Sequence, residues 1–393
     1  MIYLDNAATT RPNETALKYA EKYYAKDFYN PSSLYKSASD LSLEIGNAKK
    51  TILNTLSAVN FQQQCCHDLI FTSGGTESAN AVIIPLVEGW RAKPDGVAVR
   101  HNAKILLTSE TEHPCVYNCF TELKNRGANV TFAKCNKNGS VNVEGLLSLI
   151  NNETAFVSVM HVNNETGAVN DINYIAKEVK KINNKIIFHS DGVQAFLKLD
   201  YKLSGDVDFY TISAHKIGGV KGVGAVIKKK GVNFNPLIFG GGQENNLRSG
   251  TENVFGIKNF EKAAEIYYSN LNKNFQRIKT LKECFLDNLS AEHIKVSDES
   301  CLPHILSVSF KGLRGEVLLH MLEKRGILIS TGSACSSKSK RNRVIEACGY
   351  DKATAEGNVR VSFCADNTLE EVKYAAEVLS QSAMQLKKVT SNR

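Results

Sequence analysis

Seven short apolar, β-branched runs recur at Leu69–Thr72, Ile105–Thr108, Val130–Ala133, Ala155–Met160, Ile186–His189, Phe209–Ser213 and Ala225–Ile227. Most are separated by polar stretches long enough to hold a helix. That alternation leaves a chain few choices: helical crossovers make the strands parallel and cover both faces of the sheet. The expected class is α/β, built on a mainly parallel seven-stranded sheet. Ligands of such sheets bind outside the carboxyl ends of the strands, so those ends are where chemistry is to be sought.

At 393 residues the chain is too long for one ordinary domain. After about Gly256 the texture changes. Residues 257–290 read as one long helix, followed by short strands near Ile305–Phe310 and Ile327–Ile329 and helices near 315–325 and 369–387. The expected organisation is a large domain over 14–256 and a smaller α+β domain formed by 1–13 and 257–393. Near the amino end, residues 14–27 and 37–57 carry helical periodicity around a break at Asn30-Pro31-Ser32-Ser33.

Hydrophobic residues make up 42% of the chain and charged ones 22%, with a mild net charge of +8. No basic face or motif calls for nucleic acid. No run approaches 18 apolar residues, so no membrane span is expected, and the first residues carry no signal pattern. A cytoplasmic protein is expected, its ten cysteines reduced. None of the cysteine spacings makes a zinc site, so no metal is expected.

Several strands end in polar groups that a packed core does not need. Thr72-Ser73-Gly74-Gly75-Thr76-Glu77-Ser78 follows the first run and opens a helix. Close backbone approach and free helical N–H groups suit a phosphate there, although a plain strand-to-helix turn has the same form. Later runs deliver His113, Asn164, Asp191, Gln194, Ser213, His215 and Lys216 to the same edge. Lys216 is either a solvated strand end or a lysine neutralised by a Schiff base to a carbonyl cofactor. Ser213 and His215 can donate to an anion. A buried Asp191 keeps a pyridine nitrogen protonated, the arrangement pyridoxal phosphate requires.

Taken together, the segments DNAATT (from Asp5), TSGGTES, TEH, HVNNETG, HSDGVQ, SAHKIGG, GGGQE, RSGTEN and STGSACSS resemble the NifS/IscS-like cysteine desulfurases of the class V aminotransferase superfamily. The likeness runs in order from residue 3 to about 365. It implies a fold-type I homodimer with pyridoxal 5'-phosphate in each site. Lys216 resembles the Schiff-base lysine, Asp191 the pyridinium partner and His113 the residue stacked on the ring. Asn164 and Gln194 resemble the ligands of the ring hydroxyl. Gly75, Thr76, Ser213 and His215 resemble the phosphate cup, and Thr251 the phosphate ligand lent by the other subunit.

Cys335 stands among small residues in STGSACSS, with Lys338, Lys340, Arg341 and Arg343 behind it. Positive charge lowers a thiol pKa, and the thiolate is the nucleophile. It resembles the family's persulfide-forming cysteine. Arg360 offers a planar bidentate donor for a substrate α-carboxylate, and Asn30 is expected near the same group. The implied reaction takes sulfur from L-cysteine, leaves L-alanine and loads Cys335 for a sulfur-acceptor protein. That acceptor is an iron–sulfur scaffold, with Cys335 briefly sharing a cluster, or a tRNA sulfurtransferase. A selenocysteine lyase, another class V aminotransferase and a silent adaptor that keeps the fold are the competing readings. Two departures stand out: Val220 where many relatives carry proline, and a long polar segment over residues 91–103.

Overall fold

In the computed structural model, residues 1–56, 66–89, 104–331 and 342–391 are described. The polar segment 91–103 and Cys335, with Lys338, Lys340 and Arg341, lie outside them.

A short strand β1 (Ile2–Tyr3) opens the chain. The main sheet comprises β2 (His67–Thr72), β3 (Ile105–Ser109), β4 (Asn129–Ala133), β5 (Thr154–Ser158), β6 (Ile187–Asp191), β7 (Phe209–Ser213) and β8 (Gly224–Lys229). Its order is β2-β8-β7-β6-β5-β3-β4. All adjacent pairs are parallel except the two that involve β8, which runs against β2 and β7. The expected seven strands are all present. The reversal of β8 has a local cause: the turn Gly218–Gly222 joins it to β7 with no crossover helix, and a short connection can only make an antiparallel pair.

β7 is buried at every position and β6 at all but its first, which is why the runs read as unbroken apolar segments rather than alternating ones. Phe156, Val157, Phe188, Tyr210, Ile212 and Val226 sit at the centre of the layers.

A second sheet, β12-β10-β9, joins β9 (Ile294–Lys295), β10 (Ile305–Ser309) and β12 (Asn358–Ser362) in antiparallel pairs. β1 pairs in parallel with β11 (Ile327–Leu328). A separate hydrophobic cluster forms here from Leu4, Ile278, Phe285, Val308, Leu318, Val361 and Leu379. The amino-terminal segment therefore packs with residues more than 270 positions away.

The single helix expected over 257–290 is two helices, Val254–Ser269 and Leu271–Asp287. Asn270 divides them: its side chain bonds back to the Ile266 carbonyl at 2.9 Å. A residue that satisfies local carbonyls with its own amide competes with the helix ladder. Val254, Ile257, Phe260 and Ala264 pack into the main-sheet cluster, whereas Ile278, Leu281 and Phe285 pack into the other. The break lets one amphipathic stretch serve both cores. The helix expected over 14–27 is likewise divided, into Glu14–Ala20 and Lys22–Ala25.

Gly192 follows Asp191 directly, and its lack of a side chain is a packing requirement. A Cβ there would lie 1.9 Å from Tyr210 Cζ. Tyr210 cannot yield, since it is 1% exposed and its hydroxyl pairs with His161 Nδ1 at 2.9 Å. Overpacking of this kind costs about 1–3 kcal/mol. Gly192→Ala is expected to lower the urea unfolding midpoint by a corresponding amount with an unchanged slope; an unaltered midpoint would show that the Tyr210 ring has room to move.

Candidate active site

The carboxyl ends of β2, β3, β5, β6 and β7 converge on a cavity of about 260 Å3. Its lining includes Gly75, Thr76, His113, Asn164, Asp191, Gln194, Ser213, His215, Lys216 and Arg360. Residues from Gly75 to Lys216 meet because these strands deliver their ends to one edge, and Arg360 is added from β12 of the second sheet. Ala7, Ala8, Cys115, Met160, Val162, Val193 and Ser330 complete the wall.

Lys216 closes a short 3-10 turn after β7. Its ammonium donates to the carbonyls of Ala7 and Ala8, at 2.6 Å each. The turn is stitched to the amino-terminal segment on both sides. Thr10 Oγ1 donates to the His215 carbonyl at 2.8 Å and accepts from the Gly218 N–H at 2.7 Å. Gly218 has φ +74°, a left-handed conformation that favours glycine. Val220 meets a different need. Its N–H donates to Asn259 Oδ1 at 2.8 Å, a bond that a proline at this position could not make.

Asp191 is 5% exposed. Its Oδ1 accepts from the Val193 N–H at 2.9 Å, and Oδ2 lies 4.0 Å from Cys115 Sγ. Burial pushes its carboxyl up to about 6, against the pull of the Val193 N–H and the Lys216 charge. His113 caps the helix Pro114–Asn125, with Nδ1 accepting from the Cys115 N–H at 3.2 Å. Burial, then the charges of Lys216, Arg343 and Arg360, hold it down at about 4, so it is neutral at pH 7. His215, bonded to Thr9 Oγ1 at 3.1 Å, is held at about 4 by burial and the neighbouring lysines. Asn164 Oδ1 is buried with no hydrogen-bond partner among the described residues. Such an atom is costly unless a ligand supplies a donor.

Gln194 lines the cavity, and its amide also bonds within the protein: Nε2 donates to the Ala7 carbonyl at 2.8 Å and Oε1 accepts from Lys198 at 2.9 Å. Arg360 is 4% exposed. It donates to Asp5 Oδ1 at 2.7 Å and to the Asn164 carbonyl at 2.8 Å, and its Nε has no partner among the described residues. Arg343 lies over the Tyr117 ring and donates to the carbonyls of Glu110 and Glu112.

Thr251, expected to serve the other subunit's site, is exposed and lines a separate cavity of about 130 Å3 beside Ser73. Asn30, expected near the substrate carboxylate, is not among the lining residues; it is exposed, and its side chain accepts from the Ser32 N–H. The sequence reading also missed Cys115, Asp5 and Lys198. Cys115 was legible two residues after His113, but its approach to Asp191 depends on how two strands are spaced.

The chain matches the model of the aminotransferase class-V family over residues 2–375. It is 38% identical over 378 residues to a NifS/IcsS protein homolog of Lactobacillus delbrueckii subsp. bulgaricus, with 94% of each chain covered. It is 33% identical to a cysteine desulfurase IscS of Methanosarcina thermophila, covering 99% of this chain and 93% of the relative. A solved NifS-like protein superimposes with a TM-score of 0.86 at 31% identity, covering 98% of this chain and all of the other. The chain therefore belongs to the class V aminotransferases, pyridoxal phosphate enzymes of fold type I. Within them it is a member of the NifS/IscS-like cysteine desulfurases.

The side chains present fit that cofactor. Among the described residues the buried Asp191 carboxylate is hydrogen-bonded to no cation and the Asn164 oxygen has no donor, and a helix begins at Gly75 beside Ser213. The raised Asp191 carboxyl also carries a cost. An unfolded Asp titrates near 3.9, so the folded apoprotein binds the proton more tightly. Stability falls as pH rises from about 4 through 6. Asp191→Asn is expected to raise the apoprotein's unfolding temperature at pH 7.5, to leave it unchanged near pH 4, and to weaken cofactor binding at least tenfold. Equal losses of stability at both pH values would show that the carboxylate is stabilising and the burial argument wrong.

Proposed function

We propose that this chain removes sulfur from L-cysteine, giving L-alanine and a persulfide on Cys335 that passes to an acceptor protein. The observation that carries the reading is the convergence of Lys216, Asp191, His113 and Arg360 on one cavity. Lys216 would hold the cofactor covalently, and Asp191 would supply the negative charge for its pyridine nitrogen. Gly75, Thr76, Ser213 and His215 would hold its phosphate, and Asn164 would serve the ring hydroxyl together with the second N–H of Gln194 Nε2, the first being engaged by the Ala7 carbonyl. When bound, pyridoxal phosphate supplies an electron sink for charge that develops at the substrate's Cα.

The protein's own groups do the rest. Arg360 binds the α-carboxylate, using the Nε that now has no partner. Arrival of that carboxylate competes with Asp5 for the guanidinium. Lys216 takes the Cα proton as a general base. His113 is neutral, so it can accept or carry a proton at the ring face. The Cys335 thiolate attacks the substrate sulfur, an S–S bond forms as the C–S bond breaks, and returned protons leave L-alanine.

A homodimer is part of the proposal, with Thr251 serving the partner's phosphate site. Large exposed apolar side chains support an interface: Tyr24, Phe28 and Leu34 are 77%, 70% and 103% exposed. Eight described cysteines are free thiols, which supports a reducing, cytoplasmic setting. No described helix is long and apolar enough to cross a membrane. The acceptor is an iron–sulfur scaffold or a tRNA sulfurtransferase.

Cys335→Ser is expected to keep the cofactor's visible band yet to form no persulfide, read as loss of protein-bound sulfane sulfur after cysteine is added. Alanine and sulfide release at the parent rate would remove Cys335 from the mechanism. Arg360→Gln is expected to raise KM for L-cysteine by at least tenfold, since a charge-assisted pair is worth about 1.5–3 kcal/mol. An unchanged KM would leave the carboxylate to another group.

A further inference from the structure

Lys198 is an odd residue to find where it is. It is 6% exposed, seven positions after Asp191, and the described residues give its ammonium one hydrogen-bond partner, Gln194 Oε1 at 2.9 Å. Burial, then the like charges of Lys216 and Arg360, push it down to about 7. A buried cation without a counterion costs stability. An apolar side chain of the same length would pack there more cheaply, so a plain packing role does not account for the ammonium.

What the ammonium does is settle an amide. A lysine only donates and a backbone carbonyl only accepts. Gln194 lies between one of each, so Oε1 must face Lys198 and Nε2 must face the Ala7 carbonyl, 2.8 Å away. That same carbonyl receives Lys216 Nζ at 2.6 Å. A continuous path therefore runs Lys198–Gln194–Ala7–Lys216. With an apolar residue at 198 the amide could turn over, presenting an oxygen to the Ala7 carbonyl, and that segment would be pushed away from Lys216. Lys198 also lines a cavity of about 450 Å3 on the far side of this path, together with Lys216, Tyr267 and His304. That space lets its charge change without unfolding the neighbourhood.

We propose that Lys198 is a positioning residue for the reaction: through the Gln194 amide it fixes the carbonyl that seats Lys216, and its charge opposes a proton on the Lys216 nitrogen. The second part is reciprocal, since each of two like charges disfavours the other. The proposal rests on the reading of Lys216 as the cofactor-bearing lysine, and the test separates the two.

Holoenzyme carrying Lys198→Met, Lys198→Arg or neither is titrated between pH 5 and 9 by its visible absorbance. In Lys198→Met the midpoint of the band is expected to move up by about one pH unit, a tenfold gain in proton affinity. Its kcat should fall at least tenfold with KM for L-cysteine within threefold, and the apoprotein should unfold no earlier than the parent. Lys198→Arg keeps the charge and the donor, and should hold the midpoint within a few tenths of a unit. If the methionine variant does not fold, Lys198→Gln is titrated in its place with the same expectation. A midpoint that stays where it was in the methionine or glutamine variant overturns the proposal, whatever happens to activity. Borohydride fixation followed by peptide mapping tells the failures apart. Label on Lys216 with no shift overturns this inference alone, whereas label on another peptide overturns the assignment of Lys216 as well.

Discussion

Two backbone carbonyls, those of Ala7 and Ala8, hold the Lys216 ammonium, and much of the molecule is arranged around that contact. A lysine at the end of a fully buried strand needs acceptors, and the amino-terminal segment supplies two of them. That segment can lie across the sheet edge because both ends of it are anchored. Upstream, Leu4 is buried in the cluster of the second sheet and β1 pairs with β11. Downstream, Thr10 and Asn13 bond to the turn that follows Lys216. The same few residues thus belong to the second core and to the wall of the catalytic cavity.

The sheet edge itself was legible in the sequence. Apolar runs separated by helical lengths force parallel strands, and parallel strands bring their carboxyl ends together. His113, Asn164, Asp191, Ser213 and Lys216 could therefore be grouped from one periodic signal, and the structure brings them to one cavity. What the pattern does not encode is which side chain each polar group bonds. Gln194 reads as a ligand-facing amide, yet its oxygen bonds Lys198 and one of its N–H groups the Ala7 carbonyl. Arg360 reads as a carboxylate receptor, yet it bonds Asp5, 355 positions away. The Ala7 and Asp5 pairings depend on where the amino-terminal segment lies, and no spacing in the chain carries that information.

The division of the carboxy-terminal helix shows the same limit at a local level. Periodicity continues through Asn270, so a single helix is the natural reading. The break is decided by one amide that prefers its own backbone and by two cores that demand different faces of the stretch. Val220 is the converse case. A missing proline looks like a loss of stiffness, whereas its N–H gains a bond to Asn259. Rigidity in that turn comes from a hydrogen bond in place of a ring.

The electrostatics of the cavity follow from its burial. Asp191, His113 and His215 are each driven towards their neutral forms, chiefly by desolvation. Lys198 is driven the same way. A site built of groups that resist their own charge is poorly stabilised when empty, and it offers a strong incentive to any ligand bringing complementary charge. In the proposed reading a pyridinium would give Asp191 a cation to bond, and a carboxylate would satisfy the Arg360 Nε, which has no partner among the described residues. In the proposed reaction the same shortage of counterions that weakens the apoprotein supplies the affinity for cofactor and substrate, so stability and catalysis are opposed at these positions by construction.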